Sequence, residues 1–170
     1  IFSFIFNNVF AECDFKQYQY IDELKNIKSI KSIEIDINKK RRFYKNFARI
    51  IVSQSENIPK ELKKNFKGKI KVNYFFGSCV YKAKIRQLGD WKDHIKIVNG
   101  QPQRSLKVSL VDGNIINAVK FKLYIPETRE NYNEILGSII LRELGFLSPE
   151  TFETNIVLNG TSSRMLFQED

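Results

Sequence analysis

TFETNIVLNGTSSRMLF (Thr151–Phe167) reads as a β-hairpin. Two strand-like runs, Thr151–Leu158 and Ser163–Phe167, flank Asn159-Gly160, a dipeptide that accepts the positive φ angles of a tight turn. Upstream, Ile135, Ile139, Ile140 and Leu144 recur at helical spacing, with Thr128 or Asn131 to cap the start and Gly145 just past the end. That predicts one long helix feeding the hairpin. Further back, Ser105–Leu110 and Ala118–Tyr124 alternate apolar and polar residues around the turn signal Asp112-Gly113-Asn114, and Pro126 stops the second run. Lys69–Phe75 and Val80–Arg86 alternate in the same way around Gly77-Ser78, predicting a second hairpin.

The N-terminal half adds a strand at Ser32–Ile37 and a helix over Lys39–Ser53, where Phe43, Phe47, Ile50 and Ile51 follow the basic cluster Lys39, Lys40, Arg41 and Arg42. Pro59 starts a short helical element that runs through Phe66 and is closed by Gly68. Gln87–Gln103, with Gly89, Asp90, Trp91, Asp93, His94, Gly100 and Pro102, is the longest loop, and Trp91 is expected to pack over the sheet. The sum is about seven strands and three helices, an α+β chain with a mainly antiparallel sheet and one prominent helix.

Composition narrows the class. The chain has 170 residues, 28 Lys and Arg against 19 Asp and Glu, and a net charge of +9. Its 42% hydrophobic content supplies a core and excludes wholesale disorder, and no apolar run is long enough to span a bilayer. The charge favours an anionic partner, although a solvated lysine face gives the same sum. The first eleven residues, IFSFIFNNVFA, followed by Glu12, read as the remnant of a secretory signal cut after Ala11. Ile1 at the start and an unclosed strand at the end read as a fragment. Secretion to the outside or to the cell envelope allows one disulfide between Cys13 and Cys79. His94, the one histidine, lacks a nucleophile and a third partner nearby, and Asp90 and Asp93 read as turn residues, so neither catalytic residues nor metal ligands are assigned.

Three stretches, KAKIRQLGDWKDHI (Lys82–Ile95), RSLKVSL (Arg104–Leu110) and Asn133–Asp170, resemble in order and spacing the N-terminal half of the CotH family, which includes the spore-coat protein kinases. Gln87-Leu88-Gly89-Asp90-Trp91 replaces that family's Gly-Asn-Ser turn, and Arg104 replaces its usual Lys. The resemblance implies a division into residues 1–11 (signal remnant), 12–81 (an N-terminal α+β region) and 82–170 (a region like the N-lobe of an atypical protein kinase). The catalytic C-lobe, with its metal ligands, would follow Asp170. It also implies ATP with Mg²⁺ as cofactor, held on the N-lobe side by Arg86, Gly89, Arg104, Lys107, Glu134 and Glu169. In that scheme Lys107 reaches phosphate, with Lys120 and Lys122 as rival strand lysines, Glu134 pairs with the lysine and Glu169 sits at a hinge. The expected whole is a secreted kinase or pseudokinase acting on a secreted or envelope protein, with this part inactive alone. The other expectation is a non-catalytic basic envelope or coat module binding an anionic polymer, nucleic acid being the less expected partner in a secreted setting.

Overall fold

Asn159 and Gly160 take φ of +50° and +96°, so the turn closes in two residues and pairs Leu158 with Thr161. The Asn159 side chain then accepts the Ile37 N–H at 2.9 Å, while its own N–H donates to the Ile35 carbonyl at 2.8 Å. One turn residue thereby ties the C-terminal hairpin to an N-terminal strand.

The computed structural model describes residues 11–98 and 101–170. In chain order its elements are β1 (Glu12–Cys13), α1 (Ile21–Leu24), β2 (Ile30–Ile37), α2 (Lys40–Val52), β3 (Phe66–Tyr74), β4 (Gly77–Gln87), β5 (Ile95–Val98), β6 (Gln101–Arg104), β7 (Leu106–Leu110), β8 (Lys120–Tyr124), α3 (Asn133–Glu143), β9 (Thr151–Leu158) and β10 (Thr161–Glu169). The sheet runs β4-β3-β2-β9-β10-β8-β7, and β7 pairs back onto β4, closing a barrel of seven strands. β2 and β9 are parallel and the other barrel pairs antiparallel. β1 adds to β4 outside the ring, where Cys13 and Cys79 face each other in register and form a disulfide.

This corrects the expected α+β architecture with a kinase-like N-lobe: the sheet is a closed, mixed barrel with three short helices. The physical reason lies in β4. Of its eleven residues, Gly77–Ile85 pair with β3 and Ala83–Gln87 with β7, so Ala83–Ile85 are paired on both sides and present no edge. The division expected between residues 81 and 82 falls inside this strand. The signal remnant expected over residues 1–11 lies outside the described residues except for Ala11, which is buried against the core.

Inside the barrel, alternate residues of every strand meet. Ile33, Ile35, Ile70, Val72, Ile85, Val108 and Leu123 are fully buried. Phe167 stacks between Phe121 at 4.5 Å and Phe152 at 4.7 Å between ring centroids. At the end where β2 gives way to α2, Phe43 packs edge-on against Phe66 at 5.1 Å. At the opposite end Phe15, Tyr20, Tyr74 and Phe76 form an aromatic stack.

Three local expectations change. The helix expected after Pro59 is one 3₁₀ turn, Lys60–Leu62, and Gly68 lies inside β3. The loop expected over residues 87–103 contains the β5–β6 hairpin. α3 is not a core helix: Ser138 is its buried residue, donating to Thr151 Oγ1 at 3.0 Å, while Ile139, Ile140 and Leu144 are exposed. A closed barrel fills its interior from its own strands, so no helix is needed to cover the sheet. Among the described residues no helix is long and apolar enough to cross a membrane.

Because Phe167 is central to this packing, Phe167→Ala should cost about 3–5 kcal/mol of stability. Urea denaturation measures it, and a loss below about 1 kcal/mol would mean the interior is not packed as described.

Candidate functional site

Strand register assembles a row of cations on the outer barrel wall. Arg86 of β4 stands opposite Lys107 of β7, and Lys107 opposite Lys122 of β8. Opposed like charges repel across strands. Asp170 relieves part of this: its carboxylate bonds Lys107 and also Lys122, the latter at 2.6 Å. These two hydrogen bonds hold the Asp170 carboxyl below the usual carboxylate range.

Beside the row lies a cleft of about 380 Å³ whose walls include Lys63, Arg86, Gly89, Asp90, Trp91, His94, Lys122, Tyr124 and Arg129. Four of these side chains are cationic and one is a carboxylate. That carboxylate, Asp90, is bonded to Lys63, which lowers its pKa. Arg129 arrives on a 3₁₀ turn that Pro126 starts. Its guanidinium lies 4.2 Å over the Tyr124 ring and donates to the Tyr124 hydroxyl at 2.9 Å, leaving a buried Nε with no hydrogen-bond partner. Neither Arg86 nor Arg129 has a carboxylate within ion-pair distance among the described residues.

The floor is a second polar cluster. His94 Nδ1 lies 3.0 Å from the fully buried Ser105 Oγ, which accepts the Ile125 N–H at 3.1 Å. With that acceptor role filled, the hydroxyl proton is free to turn to Nδ1, which suits a neutral imidazole. Burial lowers the His94 pKa, with Arg129 and Lys63 acting in the same direction and Asp93 and Asp90 against it. Gly89 has φ +92°, and a Cβ there would sit 1.9 Å from the His94 ring, so the turn needs glycine for both backbone and packing.

Among the expected residues, Arg86 and Gly89 line the cleft and Lys107 belongs to the adjoining row. Arg104 is placed elsewhere. It is 2% exposed, its guanidinium 4.1 Å from the Phe43 ring centroid and 3.9 Å from that of Phe47, with Nε and Nη2 unpartnered. Burial pushes its pKa down to about 9. Glu134 accepts from Gln168 at 2.6 Å rather than from a lysine, and Asp170 takes the Lys107 partnership expected of it. Glu169 pairs in register with Phe121, its N–H donating to the Glu150 carbonyl, away from the cleft. Trp91 is 56% exposed on the cleft wall rather than packed over the sheet. Arg129 and Lys63 had no sequence signal, since a turn and a coil segment bring them in.

The residues do not fit a resident Mg²⁺. Asp90 and Asp170 are already held by lysines, and among the described residues no three His, Cys, Asp or Glu converge. No protein-family model matches the chain, and no curated protein matches it either.

Two outcomes follow from burial. Arg104→Met, which replaces an unpaired buried cation by an apolar chain, should raise stability by about 1–4 kcal/mol in urea denaturation; a loss would show that the cation–aromatic contacts outweigh desolvation. His94, with its pKa depressed in the fold, is neutral in both states above the ordinary value of 6.5. Below it the unfolded chain takes up the proton first, so stability falls with pH. The melting temperature should therefore drop between about pH 7 and pH 5, and His94→Gln should flatten that drop.

Proposed function

We propose that the cleft binds the phosphate groups of a nucleotide. The observation that carries this reading is the pair Arg86 and Arg129, two half-buried guanidiniums lining one cleft without a carboxylate partner among the described residues. A guanidinium in that setting is satisfied by an oxyanion, and its fork matches phosphate oxygens. Lys122 adds charge on the same wall. The exposed indole of Trp91 lines the same cleft as the cations and offers a face on which a base can stack. The volume falls within the range of small-ligand sites.

The reading is one of binding. No side chain in the cleft combines an activated nucleophile with a base, and the Ser105 hydroxyl is buried and engaged. ATP, ADP and tripolyphosphate should each raise the melting temperature of the protein, since a ligand that binds only the folded state stabilises it by mass action. Arg86→Gln and Arg129→Gln should each weaken binding by about tenfold, the scale of one charge-assisted contact. Trp91→Ala should weaken the nucleotides and spare tripolyphosphate. Absence of any thermal shift, or shifts unchanged in both arginine variants, would dispose of the reading.

A further inference from the structure

The outer face of β3 and β4 carries a charge pattern that the fold does not need. Alternation turns Lys67, Lys69 and Lys71 of β3 and Lys82 and Lys84 of β4 outward, and all five are exposed. The register sets Lys67 opposite Lys84 and Lys69 opposite Lys82, which puts their Cβ atoms about 4.5–5.5 Å apart and makes each pair repulsive. Two neighbouring acids on β2 do not relieve it: Asp36 pairs with Lys40 at 2.8 Å, and Glu34 accepts from Asn73 at 2.7 Å. Among the described residues none of the five lysines has a carboxylate within ion-pair distance.

The ladder is continuous with more positive charge. Next along β4 comes Arg86, and Lys120 follows Lys84 across Ser109. The Asn38 N–H donates to the Lys67 carbonyl at 3.1 Å, which brings the start of α2, with Lys40, Arg41 and Arg42, beside Lys67. Cations at a helix N-terminus oppose its dipole. Two local arrangements thus work against stability on the same face.

We infer that this face is a docking track for a linear acidic polysaccharide. Outward residues along a strand recur about every 6.6–6.8 Å, and two strands lie side by side, so the lysines form a double row of regularly spaced charges. That matches a repeating polyanion better than a single small ligand. No aromatic side chain stands among the five lysines, so the stacking platform by which single-stranded nucleic acid is held is missing from the ladder. The Cys13–Cys79 disulfide belongs to an oxidising compartment, where acidic glycans rather than nucleic acids are the expected polyanion. The track uses residues other than those of the cleft and stands independently of it.

Polygalacturonate should bind the purified protein with an affinity that falls steeply with salt, as counterion release requires. In the triple variant Lys69→Gln, Lys82→Gln, Lys84→Gln the affinity should fall by about tenfold or more and the salt dependence should become shallower. Lys→Arg at the same positions should retain binding. The glutamine variant should melt no lower than the parent, because repulsion has been removed, and its stabilisation by tripolyphosphate should be unchanged. Absent polygalacturonate binding, equal binding by the glutamine variant, loss in the arginine variant, or tighter binding of poly-dT than of polygalacturonate would each overturn the inference. Failure of tripolyphosphate to bind either protein would instead remove the cleft reading.

Discussion

β4 pairs on both sides, and the other arrangements depend on that. Ala83–Ile85 hold β3 on one side and β7 on the other, so a sheet that would otherwise end in two open edges becomes a ring. Closure fixes which residues face inward on all seven strands. It also fixes which face outward, and the cations Arg86, Lys107 and Lys122 come into line only because β4, β7 and β8 are consecutive in the ring. A slip of β7 by one residue against β4 would turn Lys107 to the interior and break the row.

The outer wall is governed by charge that the fold only partly neutralises. Asp170 serves Lys107 and Lys122, and Asp90 serves Lys63. Among the described residues Arg86, Arg129 and the β3–β4 lysines have no carboxylate within ion-pair distance. Arg104 shows the contrast between a cation kept for packing and cations kept for contact. It is enclosed by rings of α2, has lost water and has gained no anion, whereas the wall cations keep at least part of their hydration and stay available.

Much of the strand content was legible, because period-two alternation and the Asn159-Gly160 turn are local signals. Closure was not. Nothing in Val80–Arg86 distinguishes a strand with one partner from a strand with two, since both read as alternating apolar residues. Pro59 and Gly68 suggested a helix because they are boundary residues in helices, yet here Gly68 sits in β3, where tertiary pairing overrides the local preference. The apolar spacing of Ile135, Ile139, Ile140 and Leu144 was real but did not produce burial, since periodicity says that residues share a face and not what covers it. For the cleft, Arg86 and Gly89 were legible from a strand end beside a glycine turn. Arg129 was not, because its role comes from a turn that returns it to Tyr124.

The parallel pairing of β2 with β9 joins Ile33 to Ile156, and β10 bridges β9 to β8. β2, from the first half of the chain, therefore finds one of its neighbours more than a hundred residues later. The ring has a high contact order, and loop-closure entropy must be met before its most distant pairing contributes. The β2–β9 pairing is therefore the contact for which the chain gives up the most loop-closure entropy.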